Sequence, residues 1–441
     1  MQQSVAVGAA WIRPTSTDPD ILVDRNTERK QLFNMLTEYL EQRRARILIT
    51  GDRGVGKSVL TRSVLSEFAS QNPDRVARVI VNGRGVGFGA FVKELALGLI
   101  EAVRPLASQT NRRDVERCLE ELGLLANYAQ ITSTQTDTIA RKYGAEAGAE
   151  ASLFVKLSAR LSWDETRSIA QTSQRVVTVT DDLIRAAIGT TLELIDSGRP
   201  KWMVAIFFDD LDQAFEGSDG GSSDAGIQKI LELQPCVAIA HIRTEAMTAD
   251  VRRVIDEELE VRTLPPAELM AILKGRIMAG STLVQNALND GALTPFRQLA
   301  QVDPTPTPLA FLRWVHAMLR LWGATPPADW RDDSRLRELA FQATPTGGTD
   351  PRLILELAQL VDECQIHPTD GCRWDDLTRG CPSTHASPPA SPPLKAVELH
   401  ALVDRGLLIR RDRFASQPSF RLEPTLELLR PSVAKKLRAV P

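Results

Sequence analysis

The stretch Ile47-Leu48-Ile49-Thr50-Gly51-Asp52-Arg53-Gly54-Val55-Gly56-Lys57-Ser58-Val59 decides the fold. An apolar run passes into a glycine-rich turn of the pattern G-x-x-x-x-G-K-[ST], and the turn opens a helix. A strand, turn and helix in this order aim several backbone N–H groups and the positive end of a helix dipole at one point. A polyphosphate suits that point. The motif therefore predicts a nucleoside triphosphate cradled by Gly51, Asp52, Arg53, Gly54, Val55, Gly56, Lys57, Ser58 and Val59. Lys57 brings a compact positive charge to the terminal phosphates, and the Ser58 hydroxyl offers one ligand to Mg²⁺.

Hydrolysis needs acids beside the loop, and Trp202-Met-Val-Ala-Ile-Phe-Phe-Asp209-Asp210-Leu-Asp212 supplies them. The apolar run reads as a buried parallel strand. Its end delivers Asp209 to the C-terminal edge of the sheet, where a carboxylate can hold Mg²⁺ through water. Asp210 is the candidate for polarising the attacking water. Standing alone, the two acids could also be an acidic turn that caps the next helix; the loop upstream favours the metal site.

With these two motifs the chain resembles an AAA+ ATPase, nearest the initiator-like (origin-recognition type) and signal-transduction (STAND) branches, over most of residues 20 to 365. Ile21-Leu-Val-Asp24-Arg25-Asn-Thr-Glu28-Arg29 is similar to the motif that precedes the loop, with Asp24 in place of the usual glycine. Val79-Ile-Val-Asn82 looks like the second strand. Asp209-Asp210-Leu211-Asp212 resembles the initiator-type Asp-Glu-Leu-Asp with a shorter acid at its second position. The signal-transduction branch often carries two aspartates there and is frequently slow at hydrolysis.

The resemblance implies ATP and Mg²⁺ as cofactors and further roles along the chain. Val237 to Arg243 looks like the fourth strand, with Arg243 in the place that senses the γ-phosphate; a solvated strand-end charge is the alternative. His241 reads as a strand residue rather than a ligand. Asp250 to Ile255 is similar to the trans-acting arginine region, with Arg253 as the finger that completes a neighbour's site, Arg252 in reserve and a plain basic helix face as the alternative. Gly347-Gly-Thr-Asp350-Pro351-Arg352 resembles the lid motif whose arginine, here Arg352, touches nucleotide.

The expected architecture is an α/β fold: a P-loop NTPase parallel sheet with helices on both faces, an α-helical lid and a C-terminal winged-helix-like module. Residues 1–19 form an N-terminal extension, 20–264 the AAA+ core with an insertion over about 104–200, and 265–365 the lid. Residues 366–394 are a Cys/His-containing segment and Pro/Ser-rich linker, and 395–441 the terminal module. Within the insertion, Asn111–Tyr128 and Val179–Ile195 have helical periodicity, whereas Ala149–Trp163 alternates as a strand or hairpin. It can face a pore, a partner or DNA, or simply elaborate the surface. In the terminal module a helix ends at Gly406, followed by a strand, a basic turn and a strand, with Arg410, Arg411 and Arg413 placed to meet phosphates. The first helices of a complete winged helix are not evident. Cys364, His367, Cys372, Cys381 and His385 lie close enough for a tetrahedral Zn²⁺ site, but their spacings match no regular finger.

Composition narrows the classes. Lys and Arg total 53 against 56 acids, a net charge of −3, which argues against a chain coated for nucleic acid but not against a local patch. No apolar run is long enough to span a membrane, and Met1–Pro14 lacks the plan of a secretion signal, so the expected compartment is the cytoplasm. Alanine and arginine richness suggests a GC-rich bacterial source. Two readings lead: an oligomeric regulator that closes on double-stranded DNA through its terminal module, or a slow nucleotide switch that controls a partner protein carrying the effector activity, as in bacterial antiviral defence systems. A remodelling motor ranks last, because no aromatic pore-loop signature is present.

Overall fold

The computed structural model describes residues 25–84, 86–128, 130–132, 176–215, 223–242, 248–278, 288, 292–302, 305–344, 348–364, 372–379, 394–410 and 419–439. Its apolar runs become four strands of one sheet, β1 (Ala45–Thr50), β2 (Val76–Asn82), β5 (Met203–Asp209) and β6 (Val237–His241), and β7 (Glu257–Glu260) joins them as a fifth. The order is β2-β5-β6-β1-β7, and every pairing is parallel. The loop-bearing strand β1 thus lies between β6 and β7, and the acid-bearing strand β5 beside β6. The edge strand β7 is mostly acidic and carries no apolar run, so the sequence alone did not single it out.

Parallel sheets need cover on both faces, and the two-residue period of the strands supplies two separate apolar surfaces. On one face Ile47, Ile49 and Phe207 pack with Leu32 and Leu36 of α1 (Asn26–Gln42) and Leu60 and Val64 of α2 (Lys57–Gln71). On the other, Leu48, Ile206 and Phe208 meet Phe91 and Leu95 of α3 (Phe88–Gln109). That second cluster also takes in Val115, Leu119 and Leu122 of α4 (Arg113–Asn127), Ile184 and Ile188 of α5 (Asp181–Ser197), and Ile227 and Ile230 of α6 (Ser223–Leu231). The two helices expected within the insertion are therefore part of the core that covers the sheet. Between them, β3 (Gln130–Thr132) pairs antiparallel with β4 (Val176–Thr178). The alternating stretch 149–163 lies outside the described residues, as does the extension 1–19.

After α7 (Ala249–Arg253) and β7, a helical bundle forms from α8 (Pro266–Met278), α9 (Thr294–Ala300), α10 (Pro308–Trp322) and α11 (Asp333–Ala343), packed around Phe296, Phe311 and Trp314. The chain's last described helix, α15 (Pro431–Ala439), returns to this bundle through Val433 and Leu437.

Between bundle and tail stands a second small core. It joins Ile354, Leu357 and Val361 of α12 (Pro351–Cys364), Cys372 of β8 (Cys372–Arg373), Leu377 of α13 (Trp374–Arg379) and Leu399 and Leu402 of α14 (Ala396–Asp404) to Leu408 of β9 (Leu408–Arg410) and Phe420 and Leu422 of β10 (Ser419–Leu422). The strands are antiparallel in the order β8-β10-β9. This is a winged-helix arrangement, and α12 and α13 are its leading helices. The boundary expected at residue 365 runs through this core, because the apolar stripe of α12 packs on β10 and α13 as well as beside the bundle. The 366–394 segment likewise supplies β8 and α13, while residues 380–393 fall outside the described residues.

Candidate functional site

The loop between β1 and α2 is shaped by contacts that only glycine tolerates. Gly51 has φ 137°, and a Cβ there would stand 2.3 Å from the Val261 carbonyl oxygen. At Gly54, φ is 83° and a Cβ would lie 2.5 Å from Cβ of Leu309, at the start of α10. Above Gly56, the N-cap of α2, a Cβ would meet nothing within 4 Å. The space at the helix start is open, and the first-turn amides of α2 have no acceptor within their own helix. That is the arrangement a phosphate group fits. Lys57 is buried and its Nζ donates to the Gly51 and Asp52 carbonyls at 2.7 and 3.1 Å, which holds its charge beneath the loop. From the preceding motif, buried Arg25 donates through Nη2 to the Val55 carbonyl at 2.7 Å and pairs with Glu28 at 2.8 Å.

Asp209 ends β5 directly across from the loop helix. Ser58 Oγ donates to its Oδ1 at 2.7 Å, His241 Nδ1 lies 3.0 Å from the same oxygen, and Arg62 Nη2 donates to Oδ2 at 3.0 Å. Burial by itself would raise the Asp209 carboxyl. The His241 hydrogen bond and charge, the Ser58 hydroxyl and the Arg62 charge outweigh it and hold the group below the usual aspartate range. Burial pushes the His241 imidazole down, against the opposing pull of Asp209. Next in the chain, Asp210 takes φ 51°, an uncommon conformation that aspartate tolerates better than most residues. It turns the chain into a short 3₁₀ helix, Leu211–Phe215. Ser58 and Asp209 put two hard oxygen donors within hydrogen-bond distance, a donor set that suits Mg²⁺.

The other predicted residues are spread more widely. Arg243 lies outside the described residues. Arg253 and Arg252 sit exposed on the last turn of α7, Arg253 pairing with Asp250 at 3.2 Å and Arg252 with Glu258 at 3.8 Å. Arg352 is exposed on the first turn of α12, where its backbone N–H bonds Asp350 at 2.9 Å. A different arginine of the C-terminal part reaches the loop: Arg421 of β10 pairs with Asp52 at 3.0 Å. Arg53 approaches the same region, its Nη1 3.7 Å from the Cβ position of Gly406. Cys364 and Cys372 are buried in the winged-helix core with their thiols toward the Asp376 and Val361 carbonyls. His367, Cys381 and His385 lie outside the described residues, and among the described residues no group of His, Cys, Asp or Glu stands ready to hold a metal ion. No described helix is long and apolar enough to cross a membrane.

Sequence reasoning therefore missed four contributors to the site: Arg25, Arg62, His241 and Arg421. Arg25 lay within a quoted motif, and His241 stood two residues before a quoted arginine, but only the folded chain sets Arg25 on the Val55 carbonyl of the loop and His241 on Asp209 of the adjacent strand. Arg62 and Arg421 carry no sequence signal.

Residues 21–220 match the family model of the AAA ATPase domain. No curated protein matches the sequence. Among solved structures the chain is similar to the Aeropyrum pernix ORC1 protein in complex with DNA, at 14% identity and a TM-score of 0.43, over 97% of this chain and 98% of that one. It is also similar to the ADP form of the Aeropyrum pernix ORC2 protein, at 11% identity and a TM-score of 0.46, again over 97% and 98%. The Drosophila ORC bound to DNA matches at 11% identity and a TM-score of 0.41, over 97% of this chain and 90% of that one.

Proposed function

We propose that this chain, whose residues 21–220 match the family model of the AAA ATPase domain, binds ATP with Mg²⁺, hydrolyses it to ADP and phosphate, and uses the nucleotide state to set its C-terminal winged-helix module. The observation that carries this reading is the convergence of Ser58, at the start of the loop helix, on Asp209 at the end of β5.

The residues divide the work. The loop amides and Lys57 bind the phosphates, and Ser58 and Asp209 hold the metal. Mg²⁺, when bound, neutralises charge on the β- and γ-phosphates. Asp210 orients the attacking water and takes up its proton. Arg243 and Arg352 contact the γ-phosphate side, and Arg253 completes the site of a neighbouring copy in a homo-oligomer. The exposure of Arg253 supports that last role, since a finger must project from its own subunit. For the winged-helix module we propose double-stranded DNA as ligand, contacted at the phosphates by the basic turn that begins at Arg410.

A second reading has its own support: a slow switch that controls a partner protein. The Asp52–Arg421 pair ties the loop to the C-terminal sheet, so a nucleotide that moves the loop also loads that contact. Steady-state ATP hydrolysis across a protein concentration series, with and without duplex DNA and with Lys57→Ala as blank, separates the two. A rate per subunit that climbs with concentration and with DNA supports the DNA-bound oligomer. Tight binding with negligible turnover, indifferent to DNA, supports the switch. No binding above the Lys57→Ala blank overturns both.

A further inference from the structure

We propose that His241 is a positioning residue for Asp209, and that Thr61 fixes His241 in the one tautomer able to do this. The inference rests on the Mg²⁺–nucleotide reading of the site and assigns it residues that the loop and acid motifs do not include.

His241 ends β6, next to β5 on one side and β1 on the other, so it lies in the sheet between the acid and the loop. Its side chain is only 1% exposed. Nδ1 faces Asp209 Oδ1 at 3.0 Å and Nε2 faces Thr61 Oγ1 at 2.8 Å. An ionised carboxylate only accepts, so Nδ1 carries the proton and donates it to Asp209. Nε2 is then an acceptor, and the Thr61 hydroxyl donates to it. A neutral imidazole has one donor and one acceptor, and both are used. The Phe207 ring stands edge-on to the imidazole at 4.5 Å between centroids, which limits rotation.

Thr61 lies on α2, three residues after Ser58. The relay Thr61–His241–Asp209 therefore ties the helix that supplies one proposed metal ligand to the strand that supplies the other. Ser58 and His241 share Oδ1, while Oδ2 faces the half-exposed Arg62. The plane of the carboxylate is set by these three partners, with His241 fully buried, before any ion arrives. Holding a ligand through a second hydrogen bond is a general means of raising metal affinity, and losing such a partner costs about 10- to 100-fold. A histidine that merely filled the core would lend stability without changing the affinity for the metal.

The test is Mg²⁺ titration of a fluorescent ATP analogue bound to the full chain, with affinity in EDTA measured separately and thermal unfolding recorded without ligand. His241→Leu removes the donor at similar volume and is expected to raise the half-saturating Mg²⁺ concentration about tenfold or more, with affinity in EDTA unchanged. His241→Asn places an amide N–H near Nδ1 and is expected to restore most of the wild-type titration. Thr61→Val removes the hydroxyl and keeps the shape, so a smaller shift in the same direction is expected even if His241→Leu fails to fold. Wild-type titrations for Thr61→Val and for every folded His241 variant, beside a shifted Asp209→Ala, would overturn the proposal and leave the site reading intact. Equal losses with and without Mg²⁺ would also overturn it. If Asp209→Ala itself titrates as wild type, the metal site fails and the positioning role with it.

Discussion

Lys57 sits under its loop on two backbone carbonyls, a position from which a short swing carries its charge onto a phosphate. Lys57→Ala is expected to abolish nucleotide binding, measured by titration calorimetry; binding at wild-type affinity would remove the loop from the site. Asp210 occupies a left-handed turn at the edge of the sheet. Asp210→Asn keeps the size and the conformational tolerance but removes the base. Turnover is expected to fall at least about 100-fold, with nucleotide affinity retained, in a coupled phosphate-release assay. Loss of binding instead would make Asp210 a structural turn. These two roles are legible from the sequence because each lies inside a motif with fixed spacing. The partners of Asp209 were not, since His241 comes from another strand and Arg62 is simply an arginine on a helix.

At the scale of elements, strand and helix positions followed from periodicity wherever the apolar pattern was strong. β5 is buried throughout and was evident as a run, whereas β7, mostly acidic at the sheet edge, was not. The join between α1 and β1 is pinned to the end of α5 by Arg43 and Arg44 on Asp196, at 2.7 and 3.4 Å. Burial by itself would raise the Asp196 carboxyl, but the Arg43 hydrogen bond and charge, aided by Arg44, hold it below its usual value. A carboxyl lowered by folding stabilises the fold above its unfolded value, near about pH 4, and that contribution is lost as pH falls through the lowered value. Asp196→Asn is therefore expected to cost about 1 kcal/mol at neutral pH and progressively less below about pH 4, in urea unfolding at both pH values. A cost that does not shrink with pH would assign the effect to packing.

For the whole molecule, the loop lies where three parts meet. Gly54 accepts from the Leu309 N–H at the start of α10, Gly51 abuts Val261, and Asp52 pairs with Arg421 of β10. The half-buried Asp52–Arg421 pair should show coupling of about 1 kcal/mol in a double-mutant cycle with Asp52→Ala and Arg421→Ala, read by unfolding. Strict additivity would mean that the C-terminal sheet and the loop act independently. Arg253→Ala belongs to a scale above the single chain. It is expected to leave ATP binding by the dilute protein unchanged and to lower turnover per subunit about 1,000-fold in the assembled state; turnover equal to wild type at every concentration would place the finger elsewhere.

The sequence by itself determined the phosphate loop, the acid pair and the parallel sheet that joins them, because each is a local pattern whose chemistry needs fixed spacing along the chain. Only the tertiary structure decided that α12 and α13 lead a winged helix, that the insertion's helices cover the sheet, and that His241, Arg62 and Arg421 reach the site. Those are contacts between segments distant in sequence, made by side chains whose identity carries no spacing rule, and burial against a particular neighbour is what gives each of them its role.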